Sequence, residues 1–229
     1  MGLIISVLIF LLLLYTVIPY ALSRGLGLNV LKRGHEKNKI AFTFDDGPDP
    51  IYTHMLLDLL KTNDVKATFF VVGSKAEKHP EIIQRMHNEG HLIGIHNYVH
   101  RSNWFMSPWR VRKGVENTAK IIEGITGIKS SYYRPPWGML NLFDMVNKGK
   151  YRIILWSIMA EDWRTSGGSN KIKNRLSKIK GGDIILLHDC GDTPGAEIDA
   201  PLNTINALKD VLLTVRAKGY TCVRVDELN

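Results

Sequence analysis

Cysteine is nearly missing from this chain: Cys190 and Cys222 are the only two in 229 residues. They form no Cys-x-x-Cys pair and no zinc-ribbon spacing, which excludes a disulfide-scaffolded fold and a cysteine-ligated metal. Two separate, buried thiols are expected. Blocks of Lys and Arg with interleaved aromatics are also missing, although the formal net charge is +8. Nucleic-acid binding through stacking platforms or a groove-reading helix is therefore set aside. The basic excess instead suits a surface facing an anionic membrane or wall polymer. No internal repeat or low-complexity stretch appears, and 45% hydrophobic against 23% charged residues excludes a disordered chain.

Charge is absent from Gly2 to Ser23, and Leu3 to Ile18 is almost wholly aliphatic. A run of this length matches the roughly 20 residues that cross a bilayer as a helix, and no polar stripe of helical period interrupts it. Residues 1–23 are expected to be a single-pass anchor in the lipid bilayer, residues 24–37 a basic linker, and residues 38–229 one catalytic domain, monomeric. A cleavable signal peptide is the competing reading. Its apolar region would be about 7–15 residues with positive charge before it, whereas here nothing basic precedes the run and Ala21-Leu22-Ser23 is a poor cleavage site. Orientation meets opposing arguments. Arg24, Lys32, Arg33, Lys37 and Lys39 follow the run, which by the positive-inside rule places that flank in the cytoplasm. The substrate implied below places the domain outside the cell membrane, and that reading is adopted.

Beyond the linker, strand-like and helix-like segments alternate about seven times. Strands are expected at Ile40–Phe44, Ala67–Val72, His91–Ile95, Tyr132–Arg134, Tyr151–Ser157, Asp183–Leu187 and Tyr220–Val225. Helices are expected at Tyr52–Lys61, Pro80–Glu89, from Pro108 to near Gly124–Gly127, and at Leu142–Lys148, Lys171–Lys180 and Leu202–Lys218. Ser107-Pro108 supplies an N-cap and a first helical position. The alternation predicts a parallel α/β fold. Polar residues gather at the carboxyl end of nearly every strand, which favours a distorted (β/α) barrel of about seven strands over an open sheet.

Thr43-Phe44-Asp45-Asp46-Gly47-Pro48 ends the first strand with two carboxylates. In extended backbone their side chains point apart, so one could hold a metal while the other serves as a base; the tetrapeptide alone equally suits a tight turn. His96 and His100 end the third strand at a spacing that, in a helical turn, puts both imidazoles on one face. Arg134-Pro135-Pro136-Trp137-Gly138 follows another strand, leaving the Trp137 and Gly138 N–H groups to face a ligand. Ile184 to Asp189 puts His188 where an aliphatic strand emerges, and Glu161-Asp162-Trp163 follows the strand that ends at Ser157.

Taken together these residues resemble the polysaccharide deacetylases, also called the NodB homology or carbohydrate esterase 4 group, over about residues 38–227. The Thr-Phe-Asp-Asp-Gly-Pro motif stands unchanged at Thr43–Pro48. The family's His-Ser/Thr-x-x-His motif is matched by His96 and His100, Arg-x-Pro-Tyr/Trp by Arg134–Trp137, Leu-x-His by Leu186 and His188, and Asp-Trp by Asp162 and Trp163. The resemblance implies a divalent ion, usually zinc, on Asp46, His96 and His100; cobalt, nickel or manganese would also suit such a ligand set. It implies Asp45 as general base, His188 as general acid, Arg134 orienting Asp45, and Asp162 pairing with His188. Leu186 and Trp163 would wall a pocket for the acetyl methyl, with Pro136 and Trp137 also on the substrate side.

The implied reaction is N-deacetylation of amino sugars in a polysaccharide, peptidoglycan or a chitin-like glycan. O-deacetylation by the same site and an inactive polysaccharide-binding protein on this fold are the alternatives. Two departures from the family pattern stand out. Asn97 replaces the usual Ser or Thr, whose hydrogen bonding it can reproduce. Ser157-Ile158-Met159-Ala160-Glu161 lacks the aspartates usual before Asp162-Trp163, which bears on substrate contacts and on the tuning of His188.

Overall fold

Short strands with one face toward helices and the other toward each other roll into a barrel, and that is what this chain does. The structure is a computed structural model describing residues 1–146 and 150–228. Its strands are β1 (Val30–Leu31), β2 (Lys39–Asp45), β3 (Thr68–Val71), β4 (Leu92–Ile95), β5 (Tyr132–Tyr133), β6 (Arg152–Ile154), β7 (Ile158–Met159), β8 (Ile184–His188) and β9 (Thr221–Cys222). The helices are α1 (Gly2–Tyr15), α2 (Val17–Ala21), α3 (Tyr52–Thr62), α4 (Gly73–Lys78), α5 (Pro80–Asn88), α6 (Pro108–Thr126), α7 (Leu142–Val146), α8 (Gly168–Leu176) and α9 (Ala200–Ala217).

All strand pairings among the described residues are parallel, in the order β1-β6-β5-β4-β3-β2-β8-β7, with β9 added beside β2. The expected Tyr151–Ser157 strand is shorter, β6 at Arg152–Ile154, and after residues 155–157 the chain enters a further strand, β7. β6 pairs with β5 and β1, and β7 pairs with β8, so this bent segment links the two ends of the curled sheet. Among the described residues the count is thus nine short strands rather than seven. Helix α4 and strand β1 lie where the sequence suggested none, α8 starts and ends earlier than expected, and part of the expected Leu142–Lys148 helix lies outside the described residues. Residues 24–37, read as a linker, contribute β1, and Arg33 pairs with the buried Asp183 carboxylate at 2.6 Å.

Period-2 alternation divides the core. Phe42, Phe44, Phe69, Val71, Ile93, Ile95, Ile185 and Leu187 pack outward under the helices, whereas Ala41, Phe70, Ile154 and Ile184 fill the lumen and Val223, Val225 and Leu228 plug its base. The helices obey the complementary rule: α3 turns Thr53, Leu56, Leu57 and Leu60 inward, and α6 starts where Ser107 accepts from the Arg110 N–H and stops at Gly127 with φ 74°. Register then sets the levels of the lumen. Ala41 pairs with Ile184, Thr43 with Leu186 and Asp45 with His188, while Phe70 pairs with Gly94. The mouth of the barrel is therefore the next inward level above a closed apolar plug.

Gly94 is required by this packing. A Cβ there would stand 2.5 Å from the Phe70 ring, and the same ring carries the Arg134 guanidinium on its face, 4.1 Å from the centroid. We predict that Gly94→Ala destabilises the protein by about 1–3 kcal/mol, the usual cost of overpacking, read as a lower denaturant midpoint with an unchanged slope. An unaltered midpoint would mean that Phe70 is free to move aside.

Candidate active site

At the mouth, the ends of β2, β4, β5, β6, β7 and β8 converge on a cavity of about 280 Å³ lined by Asp45, Asp46, His96, His100, Trp137, Trp156, Met159, Trp163, Leu186 and His188. Asp45 is the last inward residue of β2. Its Oδ1 accepts from Arg134 Nη1 at 2.6 Å. Arg134 is 0% exposed and spends its other donors on Thr43 Oγ1 (2.8 Å) and the carbonyls of Ile154 (3.1 Å) and Leu155 (3.0 Å). Burial lowers the Arg134 pKa, and the Asp45 carboxylate opposes that shift.

Asp46 departs from the extended backbone expected for it. With φ 77° it turns out of the strand direction, so its carboxylate enters the same cavity as Asp45 instead of pointing away. Thr193 Oγ1 donates to Asp46 Oδ2 at 2.6 Å, and Asp46 Oδ1 stands 3.3 Å from His96 Nε2 and 3.2 Å from His100 Nε2. Burial raises the Asp46 pKa, and the imidazoles of His96 and His100 more than reverse this. The histidine pair is also set differently from the helical turn read from its spacing. Residues 96–100 are a loop in which Asn97 adopts φ 61° and swings His100 back beside His96. Asn97 holds that loop as its substitution for Ser or Thr anticipated, donating to Arg101 O and Asn103 Oδ1 and accepting from the Tyr133 hydroxyl.

Asp46, His96 and His100 present ligand atoms that all lie within 4.8 Å of one another. Two donors bound at about 2.1 Å to a tetrahedral zinc stand about 3.4 Å apart, close to the two distances just given. Asp46 Oδ1 is buried without a hydrogen-bond partner, an arrangement costly for a carboxylate unless a cation meets it. His96 Nδ1 donates to the Arg134 carbonyl at 2.7 Å, which leaves Nε2 as the bare nitrogen facing Asp46. Burial pushes the His100 imidazole down to about 4, the neutral form that ligates metals. These residues fit a divalent ion.

His188 faces the cavity from β8. Its Nδ1 donates to Asp162 Oδ1 at 2.8 Å, and its own backbone N–H donates to Asp162 Oδ2 at 2.8 Å. The Thr204 hydroxyl holds the same Oδ2. Burial alone would lower this imidazole; the Asp162 charge and hydrogen bond, aided by Asp46 and Asp45, raise it to about 9. Asp162 thus tunes His188 without the aspartates missing at Ser157 and Met159. The Trp163 ring meets the His188 ring edge-on at 5.8 Å, and Trp137 meets His100 at 4.3 Å. Leu186 lines the cavity one inward level below His188.

Two expectations fit less well. Pro136 is buried and is not among the cavity-lining residues, and the Gly138 N–H is used by the Pro135 carbonyl at 2.8 Å, so it cannot serve a ligand. The sequence reading also missed Thr193, Trp156, Met159 and Lys75, whose Nζ donates to the Asp46 carbonyl at 2.9 Å. Only the turn-rich Thr193-Pro194-Gly195, placed just past β8, carried a signal that could have found one of them.

A strand-end cluster of this kind on a parallel barrel defines a class, the (β/α)-barrel enzymes, which place their chemistry at the carboxyl face of the strands. The family model described as polysaccharide deacetylase matches residues 32–145. The chain is 34% identical over 196 residues to a peptidoglycan-N-acetylglucosamine deacetylase of Bacillus cereus, covering 85% of this chain and 69% of that one. Among solved structures, the Bc1960 peptidoglycan N-acetylglucosamine deacetylase superposes with a TM-score of 0.81 at 31% identity, covering 90% of this chain and 95% of that one. A family 4 acetyl xylan esterase from Clostridium thermocellum in complex with a cobalt ion gives 0.73 at 33% identity, over 82% and 89%. The chain belongs to the polysaccharide deacetylase family.

Because the folded-state pKa of His188 is raised, its contribution to stability is complete below the unfolded value near 6.5 and is lost as pH rises through about 9. In metal-free protein, the His188 resonance in histidine-labelled NMR should titrate near 9. Asp162→Asn should bring it below 6.5, because burial then acts with much less opposition. A His188 midpoint that stays put in that variant would remove Asp162 as the cause.

Proposed function

We propose that this protein is a metal-dependent deacetylase that removes N-acetyl groups from the amino sugars of peptidoglycan or a related glycan. The observation that carries the reading is a carboxylate outside the ligand group, Asp45, and an imidazole held in its charged form, His188, facing each other across one strand register beside the Asp46–His96–His100 cluster. Support also comes from relatives named peptidoglycan-N-acetylglucosamine and peptidoglycan-N-acetylmuramic acid deacetylases.

An amide resists hydrolysis because its carbonyl is a poor electrophile and its amine leaves badly unless protonated. Asp46, His96 and His100 would hold a divalent ion, zinc in this proposal, which would supply Lewis acidity for lowering the pKa of water toward about 7 and for polarising the acetyl carbonyl. Asp45 is held off that cluster by Arg134 and takes the proton of the attacking water. His188, kept charged by Asp162, delivers its proton to the sugar nitrogen as the carbon–nitrogen bond breaks, so acetate and a free amine leave. Leu186, Met159 and Trp163 enclose the acetyl methyl, and Trp137 offers a face to the sugar ring.

Gly2–Leu26 is long and apolar enough to cross a membrane, and in this proposal it anchors the enzyme with the domain outside, where the polymer is. The basic flank that argued for the opposite orientation has structural work. Arg33 pairs with Asp183, Lys39 with Glu36, Lys32 donates to the Arg24 carbonyl, and the Arg24 guanidinium stacks on Trp156 at 3.9 Å.

The test is mass spectrometry of N-acetylated muropeptides, chitin oligomers and acetylated xylan after incubation with the zinc-loaded full chain. Loss of acetyl mass from the amino-sugar glycans carries the reading; loss from xylan alone replaces it with the esterase. His188→Ala should lower kcat roughly 10²–10⁴-fold with bound zinc unchanged by elemental analysis, whereas His100→Ala should lose the zinc. Zinc lost from His188→Ala would make His188 a ligand rather than the acid.

A further inference from the structure

The apolar N-terminal run is shorter, as a free element, than its length in sequence implies. No residue of α1 is buried, but from Thr16 onward the run is docked on the domain: Thr16, Pro19 and Ser23 are buried. The Tyr15 hydroxyl donates to the Met106 carbonyl and accepts from Asn141 Nδ2, both at 2.8 Å. The Tyr20 ring meets the Trp104 ring edge-on at 5.7 Å. α1, which meets the domain at its last turn through Tyr15, has 14 residues and therefore reaches about 21 Å at 1.5 Å per residue, against a hydrocarbon core of about 30 Å. If the helix spans, the domain face around its docking site must enter the bilayer surface by roughly the difference, a depth ordinary for interfacial elements.

That face has the matching chemistry. Phe105, between the two residues that touch the anchor, is 83% exposed, and Trp109 is 71% exposed; Leu26 and Leu28, at the end of the apolar run, are exposed as well. Arg101, Arg110 and Lys113 are exposed on the same segment, Arg112 is paired with Glu116 at 3.0 Å, and no carboxylate occurs from Asn97 to Val115. Exposed aromatics flanked by cations suit the headgroup region of an anionic bilayer.

We propose that residues 104–113 form a second membrane contact, with Phe105 and Trp109 seated among phospholipid headgroups beside the anchor. The proposal rests on the reading of residues 1–23 as a retained anchor. His100 lies six residues before Met106, at most about 22 Å of extended chain, so this contact holds the cavity close to the lipid and directs it to membrane-proximal glycan.

The test places p-benzoylphenylalanine at Phe105, Trp109, Leu8 or Leu213 of the full chain, reconstituted in nanodiscs containing phosphatidylglycerol. Leu213 is 60% exposed on α9, which packs on α3 and α8. Illumination should give lipid adducts at 8, 105 and 109 and none at 213. Adducts at 8 without any at 105 and 109 would overturn the contact while leaving the anchor in place. Yields at 213 equal to those at 105 would show random collision and overturn it as well. No adduct at 8 would remove the anchor reading, and the contact with it.

Discussion

A guanidinium sealed inside a barrel is the constraint around which this molecule is arranged. Removing Arg134 from water costs several kcal/mol, and the cost is offset only if every donor finds a partner of good geometry. The partners come from three directions: the Asp45 carboxylate and Thr43 hydroxyl on β2, the Phe70 face on β3, and the Ile154 and Leu155 carbonyls at the end of β6. The last two explain the bend. Where β6 leaves its neighbours and the chain turns into β7, backbone carbonyls lose ladder partners, and buried carbonyls need replacements. Arg134 provides them. The residue that positions the candidate base therefore also stabilises the point at which the barrel closes.

Backbone strain gathers at the same end of the fold. Asp46, Asn97, Trp137 and Glu161 all have positive φ, between 54° and 77°, and each lies in a segment that follows a strand at the mouth. Such conformations cost about 1–3 kcal/mol apiece and persist where surroundings over-determine them. Here the return is convergence. Straight strands can aim only every second residue at the lumen, whereas the cavity needs Asp45 together with Asp46 and His96 together with His100. A left-handed residue after β2 and after β4 gives the extra turn. Thr193 then fixes Asp46, and the Tyr133, Asn103 and Arg101 contacts fix Asn97.

This division explains what could be read from the sequence. Polar side chains on top of aliphatic runs mark strand ends, so Asp45, His96, Arg134 and His188 were legible individually, and their order along the chain identified the family. The alternation of β and α segments was legible because packing under helices requires outward apolar residues. The means of convergence were hidden. An i, i+4 histidine spacing suggested a helix because spacing records distance along the chain, not φ. Trp156 and Met159 were invisible because they are ordinary residue types brought to the cavity by the bent segment around β7, and Thr193 was marked only by the turn-rich stretch it opens. The β6–β7 break was hidden because a largely apolar run, Ile153 to Met159, looks the same whether or not a guanidinium bends it.

Two imidazoles facing one cavity carry opposite charge preferences, and the cause lies in single contacts. Burial pushes both His100 and His188 toward the neutral form, and by itself would make them alike. At His188 a carboxylate sits on Nδ1 and is itself locked by the Thr204 hydroxyl and a backbone N–H, so the proton is retained up to about 9. At His100, Nδ1 has no partner and the Asp46 charge is shared with His96, so the ring falls to about 4. At neutral pH one ring is a lone-pair donor and the other a proton donor. Groups of the same type driven apart by their surroundings are the usual sign of divided chemical roles, and here the division depends on where Asp162 and Asp46 stand. The family's additional aspartates before Asp162 are not needed for that separation, which leaves Ser157 free to bond Asp183 and Met159 free to line the cavity.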